Sequence, residues 1–195
     1  MQDFFRNLDY SFPLELLWRL IPVVICLTVH EFSHALAALK LGDETVRTDG
    51  RVSLNPLRHI DWIGLAVLAF AGFGWGRPVQ VRLSSLRNPR RDMALIALAG
   101  PVSNFILAGL LWFVYKQTSF SPWPSRNLIE NTMRLSVGLG LFNMIPIPPL
   151  DGSKVLFALL PERIYLKILR YERYGYIILI IGLFLWNYLP SVWRR

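Results

Sequence analysis

The feature that most constrains this sequence is a pair of histidines four residues apart inside a long apolar run. His30 and His34 enclose Glu31 within a stretch that is apolar from Phe12 to Leu41. Residues four apart lie on one face of an α-helix, so both imidazoles can reach a single metal ion. Glu31 can approach a water molecule at that metal as its base. Because ionisable groups are costly inside a bilayer, the stretch predicts a functional metal site within a membrane-spanning helix.

Composition and charge indicate a membrane protein. The chain has 195 residues, 53% of them hydrophobic, which is too apolar for an ordinary soluble domain. The net charge of +8 arises from basic residues between apolar segments. This pattern is typical of loops on the cytoplasmic side of a membrane, and we expect no nucleic-acid partner. We predict an all-α, polytopic helix bundle in the cell membrane, forming a single domain over residues 1–195 with its core at 12–160.

The charges around the first span predict its orientation. Before Phe12 the charges nearly cancel, whereas basic residues follow the span at Lys40, Arg47, Arg51 and Arg58. By the positive-inside rule the amino terminus lies outside and Lys40 lies in the cytoplasm. At about 1.5 Å per residue, His34 is about 9 Å and His30 about 15 Å from Lys40 along the helix. The metal site is therefore expected within the membrane, nearer its cytoplasmic face.

The segment Trp62–Trp75 is predicted to be a re-entrant hairpin. It is short for a span. A full crossing would also place the basic residues that follow it on the outer side of the membrane, against the positive-inside rule; these are Arg77, Arg82, Arg87, Arg90 and Arg91. Directly after it, Arg77–Leu83 alternates polar and apolar residues, which predicts a short β element.

Three further spans complete the prediction of about four full spans. Asp92–Lys116 is rich in small residues for close helix packing, and Pro101 is expected to kink it. The next span runs from Leu128 to about Ile145 and ends in a proline-rich stretch before Asp151. An additional carboxy-terminal span is expected at residues 174–190.

A catalytic zinc site needs a third protein ligand besides the two histidines. The candidates are Asp151, Asp43, Glu44, His59 and Cys26. Asp151 follows a broken helix end at a depth similar to that of the histidines, although an aspartate before glycine is also a common turn residue. Asp43 and Glu44 lie past the first helix and are expected to be solvated, as is His59 in its loop. Cys26 is expected to be a small buried residue.

Three motifs together carry a family resemblance. They are His30-Glu31-Phe32-Ser33-His34, the segment Gly100–Asn104, and the stretch from Asn143 to Gly152. In order and spacing they resemble the site-2 protease family of intramembrane zinc metalloproteases, over roughly residues 12–160. The loop Gly72–Val79 is similar to that of short bacterial and archaeal members, and the chain lacks the PDZ-like and CBS-type regions of others.

The resemblance implies a role for each matching residue. His30, His34 and Asp151 would bind one Zn²⁺ per chain, with Glu31 as the general acid and base. Asn104 and Asn143 would help to hold the substrate or the developing oxyanion, which makes Asn104 a candidate catalytic residue as well.

The expected activity is hydrolysis of peptide bonds in or near the transmembrane segments of membrane proteins. A substrate helix must unwind before it is cut, and the backbone of Val79 and Val81 could pair with the extended peptide by β-augmentation. The partners are then the lipid bilayer and a transmembrane protein substrate. The alternative is a non-catalytic zinc-binding membrane protein or carrier.

Overall fold

The structure is a computed structural model that describes residues 11–71, 74–117 and 125–161, together with residues 164, 175, 177–179, 181–182 and 185. Its helices are, in chain order, α1 (Ser11–Lys40), α2 (Thr45–Thr48), α3 (Trp62–Ala71), α4 (Pro89–Gln117), α5 (Ser125–Asn143) and α6 (Asp151–Ala158). Short 3₁₀ turns occur at Pro56–Arg58 and Leu83–Ser85. These described residues contain no β-strand, which agrees with the predicted all-α class.

Helix α4 lies at the centre of the bundle. It packs against α1, α5 and α6, and α1 also contacts α5. Small side chains permit this packing, since Ala97, Gly100 and Ala108 are all buried along α4. Toward its carboxy-terminal end the opposite face is apolar and open, and Leu110 and Phe113 are 62% and 59% exposed. An exposed apolar surface of this kind suits contact with lipid.

Two helices of the described residues are long and apolar enough to cross a membrane. They are Leu20–Lys40, within α1, and Pro89–Gln117, which is α4. The predicted span at Leu128–Ile145 overlaps α5, whose charged residues Arg126, Glu130 and Arg134 make it more polar. The predicted span at residues 174–190 lies largely outside the described residues. The all-α membrane class is therefore supported, and the count of four spans stays a prediction.

The segment that contains α3 has its two ends side by side. Ile60 and Gly76 form an isolated antiparallel bridge, and the Arg77 N–H donates to the His59 carbonyl over 2.8 Å. Ten residues of α-helix rise about 15 Å, which is half the thickness of a bilayer's hydrocarbon core. The chain therefore enters and leaves this segment at one place, as the predicted re-entrant hairpin requires.

The predicted strand after the hairpin is not confirmed. Residues 77–82, which we call the wall segment, have no strand partner in the part of the chain that the structure describes, and Leu83–Ser85 is a 3₁₀ turn. Alternating polar and apolar residues predict an extended backbone, whereas a strand also needs a second backbone to bond. Several backbone groups of the wall segment bond side chains instead.

Candidate metal centre

Three side chains from distant parts of the sequence converge at the junction of α1 and α6. Asp151 Oδ2 lies 3.1 Å from His30 Nε2 and 3.2 Å from His34 Nε2. The two Nε2 atoms are 3.0 Å apart. All three residues are buried, and their ligand atoms lie within 4.8 Å of one another. Among the described residues this is the only group of histidine, cysteine and acidic side chains so arranged.

Local structure places each of the three groups. The one-turn spacing in α1 stacks the two imidazoles, whose ring centroids are 4.5 Å apart with their planes at 88°. Asp151 is the first residue of α6, where the chain resumes a helix after the proline-rich turn. Gly152 allows this turn to fold tightly, since a Cβ there would lie 2.1 Å from the Met144 carbonyl oxygen. Asp151 is thereby brought back beside α1.

The donor atoms and their surroundings fit a zinc ion. Two imidazole nitrogens and one carboxylate oxygen form one of the ligand sets that catalytic zinc sites use, with a fourth position left for water. Asp151 Oδ2 is buried and has only the two imidazole Nε2 atoms beside it, so a cation between these three atoms would relieve the cost of burying the carboxylate. On the α4 side a Cβ on Gly100 would lie 2.4 Å from His34 Nε2, so only glycine leaves room for the imidazoles.

Helix α4 also orients both imidazole rings through their other nitrogens. His34 Nδ1 lies 2.7 Å from the Ile96 carbonyl oxygen, which can only accept, so Nδ1 carries the proton and donates. The His34 Nε2 lone pair is thereby left facing Asp151. His30 Nδ1 lies 3.1 Å from the side-chain amide nitrogen of Asn104. Such contacts fix the orientation of metal-binding histidines.

Glu31 lies beside the cluster at the edge of a cavity. Its Oε2 accepts a hydrogen bond from the Val79 N–H over 3.1 Å. The cavity has a volume of about 520 Å³, and the three converging side chains and Glu31 all line it. Val79 and Val81, which the sequence predicts as a substrate-binding edge, line the wall of this cavity.

The two predicted asparagines occupy different positions. Asn143 lines the cavity, and its Nδ2 donates to the Leu139 carbonyl over 3.0 Å. Asn104 is fully buried against His30 and is not part of the cavity lining. Asn143 thus faces the cavity, whereas Asn104 contacts the candidate ligand His30.

The other candidate ligands do not join the cluster, and two of them were placed wrongly. Asp43 and His59 were expected to be solvated, but both are fully buried. Asp43 bonds the backbone of the loop after α1, and His59 Nε2 lies 2.7 Å from the Ser53 carbonyl oxygen. Glu44 is exposed, as expected. Cys26 is buried, as expected, and its thiol donates to the Thr132 carbonyl.

Two residues near the site were missed in the sequence. Lys154 lines the cavity from α6, three residues after Asp151 and on the same helical face. That spacing is visible in the sequence and could have revealed it. Arg51 is buried beneath the wall segment. Nothing in its local sequence distinguishes it from the solvated arginines around it.

Comparison with known proteins identifies the family. The model of peptidase family M50 matches residues 18–126 and 118–189. The chain belongs to this family. A Bacillus subtilis protein named "Putative zinc metalloprotease YwhC" is 35% identical over 179 residues, which cover 87% of this chain and 82% of that protein. Membership confirms the predicted resemblance to site-2 proteases and the prediction of a zinc metalloprotease.

Other relatives share shorter parts of their length with the chain. "Putative zinc metalloprotease Rip2" of Mycolicibacterium smegmatis is 30% identical over 81% of this chain and 63% of its own length. "Zinc metalloprotease RasP" of Bacillus licheniformis is 29% identical over 73% of this chain and 31% of its own length. No solved structure matches the chain significantly.

Replacing Gly100 should disrupt the metal site without unfolding the bundle. In Gly100→Ala the new methyl group would lie 2.4 Å from His34 Nε2 and 2.6 Å from His30 Cε1, so both rings must move. Because zinc ligands tolerate displacements of only about 0.2 Å, we expect zinc affinity to fall at least tenfold. Competition with a chelator measures this affinity in purified protein.

Gly109→Ala is the matched control on the same helix, since a Cβ there meets no described residue within 4 Å. It should bind zinc as the wild type does. Equal zinc affinity in both variants would contradict the close approach of α4 to the two histidines.

Proposed function

We propose that this protein is an intramembrane zinc metalloprotease that cuts peptide bonds in or near the transmembrane segments of other membrane proteins. His30, His34 and Asp151 hold one zinc ion per chain, and Glu31 is the general base. The observation that carries the proposal is the position of Glu31, which lines one cavity together with the three converging side chains. The two apolar helices α1 and α4 both contribute to this cavity.

The chemistry divides between the metal and the chain's own residues. A zinc ion bound there supplies a Lewis acid that lowers the pKa of a water molecule. Glu31 takes a proton from water at its carboxylate and returns it to the nitrogen of the departing amine. The hydrogen bond from the Val79 N–H to Oε2 holds the carboxylate in the cavity wall. Glu31 is 8% exposed, so little solvent competes with the substrate for it.

An extended peptide fits the cavity better than a helix does. The carbonyls of a helical substrate are already bonded within the helix, so the cut segment must unwind. Gln80 and Val81 line the cavity and make no backbone hydrogen bond to any residue that the structure describes. Their free N–H and C=O groups are available to an unwound peptide by β-augmentation. Asn143 lines the same cavity, and the amide N–H that is not bonded to the Leu139 carbonyl would donate to the developing oxyanion.

Asn104 is proposed to orient the His30 ring through its Nδ1 atom, on the side away from Asp151, and not to touch the substrate. Its amide faces His30 Nδ1. The atom nearest the ring is the amide nitrogen, while the buried amide oxygen makes no hydrogen bond. If the two ends of the amide are exchanged, Oδ1 accepts a hydrogen bond from His30 Nδ1–H and leaves Nε2 free for zinc, as the Ile96 carbonyl does for His34.

We also propose a multi-pass orientation in the cell membrane with the site nearer the cytoplasm. It rests on the distribution of basic residues, which are concentrated in the loops after α1 and after the hairpin. The rival class, a zinc carrier without catalysis, has no use for a carboxylate beside the metal ligands. The placement of Glu31 in the cavity therefore favours the enzyme.

Glu31→Gln tests the proposed chemistry. The amide keeps the size of the side chain and one acceptor for the Val79 N–H, but it cannot take up a proton. We expect zinc content equal to that of the wild type and a loss of cleavage by several orders of magnitude, because base and metal act on the same water. Metal analysis and cleavage of a panel of single-span membrane peptides provide the two readouts. Substantial cleavage by the variant would sink the assignment of Glu31.

Labelling of Ser84 tests the orientation. Ser84 is exposed just after the wall segment, and Cys26 is buried, so Ser84→Cys in a Cys26→Ala background gives one accessible thiol. An impermeant thiol reagent should label inverted membrane vesicles and leave intact cells unlabelled. The Cys26→Ala variant alone is the control. Labelling of intact cells would show that Ser84 lies outside the cell and would contradict the proposed orientation of the chain after the hairpin.

A further inference from the structure

Arg51 is a buried cation near the charges of Glu31 and Asp49, but it makes no salt bridge to an acidic side chain among the described residues. It is 6% exposed. Its guanidinium donates instead to three backbone carbonyls, those of Arg58, Arg77 and Pro78. Burial, and then the nearby charge of Arg77, lower the pKa of Arg51. A buried guanidinium is costly unless its N–H groups are hydrogen-bonded. These three bonds therefore hold the loop before α3, at Arg58, against the start of the wall segment.

Asp43 is a buried anion that anchors the other end of the same segment. It is fully buried in the loop after α1. Its Oδ1 accepts from the backbone N–H and the hydroxyl of Thr45, over 3.1 Å and 2.6 Å. Its Oδ2 accepts from the Arg82 N–H over 2.7 Å. Asp43 therefore ties the end of the wall segment to the start of α2.

The wall segment is thus held by side chains at both ends and near its middle. Arg51 holds the carbonyls of residues 77 and 78, Glu31 holds the N–H of Val79, and Asp43 holds the N–H of Arg82. Between these anchors the backbone groups of Gln80 and Val81 are free of the described residues and line the cavity. The anchors thereby set how far each free group lies from Glu31.

We propose that Arg51 and Asp43 are positioning residues that determine which peptide bond of a substrate lies opposite Glu31. This inference rests on the proposed function. A peptide paired with the wall segment is fixed in steps of about 3.3 Å per residue, and a slip of one residue turns every side chain to the other face. Loosening an anchor therefore changes the register of the substrate and leaves the metal ligands in place.

Arg51→Lys and Asp43→Asn loosen one anchor each. Lysine keeps the charge, but a single ammonium group lacks the fork that reaches carbonyls on two chain segments. Asparagine keeps one oxygen and replaces the other by an NH₂ group, which accepts no hydrogen bond. The side chain can then accept from the N–H of Thr45 or from that of Arg82, but not from both. Arg47→Lys is the matched control, since Arg47 is exposed on α2.

The experiment measures kcat, KM, the cleaved bond and zinc content for the full-length variants in detergent, with a membrane peptide that the wild type cuts. We expect Arg51→Lys and Asp43→Asn to keep wild-type zinc content, to lose about 10- to 100-fold in kcat/KM, and to spread cleavage over neighbouring bonds. Mass spectrometry of the products identifies those bonds. Arg47→Lys should cut the same bond at the wild-type rate.

Amide hydrogen exchange provides a readout that does not depend on cleavage. Peptides that cover residues 77–83 should exchange about tenfold faster in both variants, while those from α4 stay unchanged. Cleavage of the same single bond with wild-type kcat and KM, or unchanged exchange at residues 77–83, would overturn the inference. Failure of the wild type to cut any membrane peptide would instead refute the proposed function.

Discussion

The structure depends on bringing an imidazole pair and a carboxylate together inside an apolar bundle. The Asp151 carboxylate in particular needs partners there, because a buried charge without them is costly. Their convergence requires α4 to approach α1 closely, and Gly100 is the position where it does so. The same approach lets the Ile96 carbonyl and the Asn104 amide face the two rings from behind. Helix packing and the convergence of these three side chains are therefore one constraint in this fold.

The second constraint concerns the wall of the cavity. A bilayer tolerates irregular backbone only where protein covers it or where it lines a cavity. The hairpin around α3 returns the chain to its starting point, and the wall segment continues from it past Glu31. Charged side chains from the loop after α1 then hold this extended backbone in place. The irregular wall segment is thus fixed by specific bonds, and it lines the cavity on which the proposed substrate contact depends.

Much of the site could be predicted because its signals are local. The spacing of His30 and His34 predicts one helical face, and the prolines before Asp151 predict the end of a helix. Other outcomes depend on tertiary contacts that a local pattern does not contain. Asp43 lies in a polar loop as a solvated aspartate would, and the sequence does not reveal the distant Arg82 N–H that bonds its carboxylate in the folded protein.

Two further features also depend on tertiary contacts and could not be predicted from the sequence: whether the wall segment pairs with a strand, and which asparagine faces the cavity. Alternating residues predicted an extended wall segment, but whether a partner strand exists is a property of the whole fold. Asn104 and Asn143 both stand in motifs that resemble those of the family. Which of them faces the cavity depends on the rotation of α4 and α5 about their axes, and the structure places Asn143 there.

The central claim is that two histidines and Asp151 hold one zinc ion, and X-ray absorption at the zinc edge tests it most directly. Purified protein with one equivalent of zinc should show two imidazole ligands and oxygen at about 2.0–2.2 Å, without sulfur. Asp151→Ala should lose one oxygen ligand and bind zinc at least tenfold more weakly, as expected when a ligand is removed. A sulfur ligand, or an Asp151→Ala variant with an unchanged spectrum and affinity, would contradict the account.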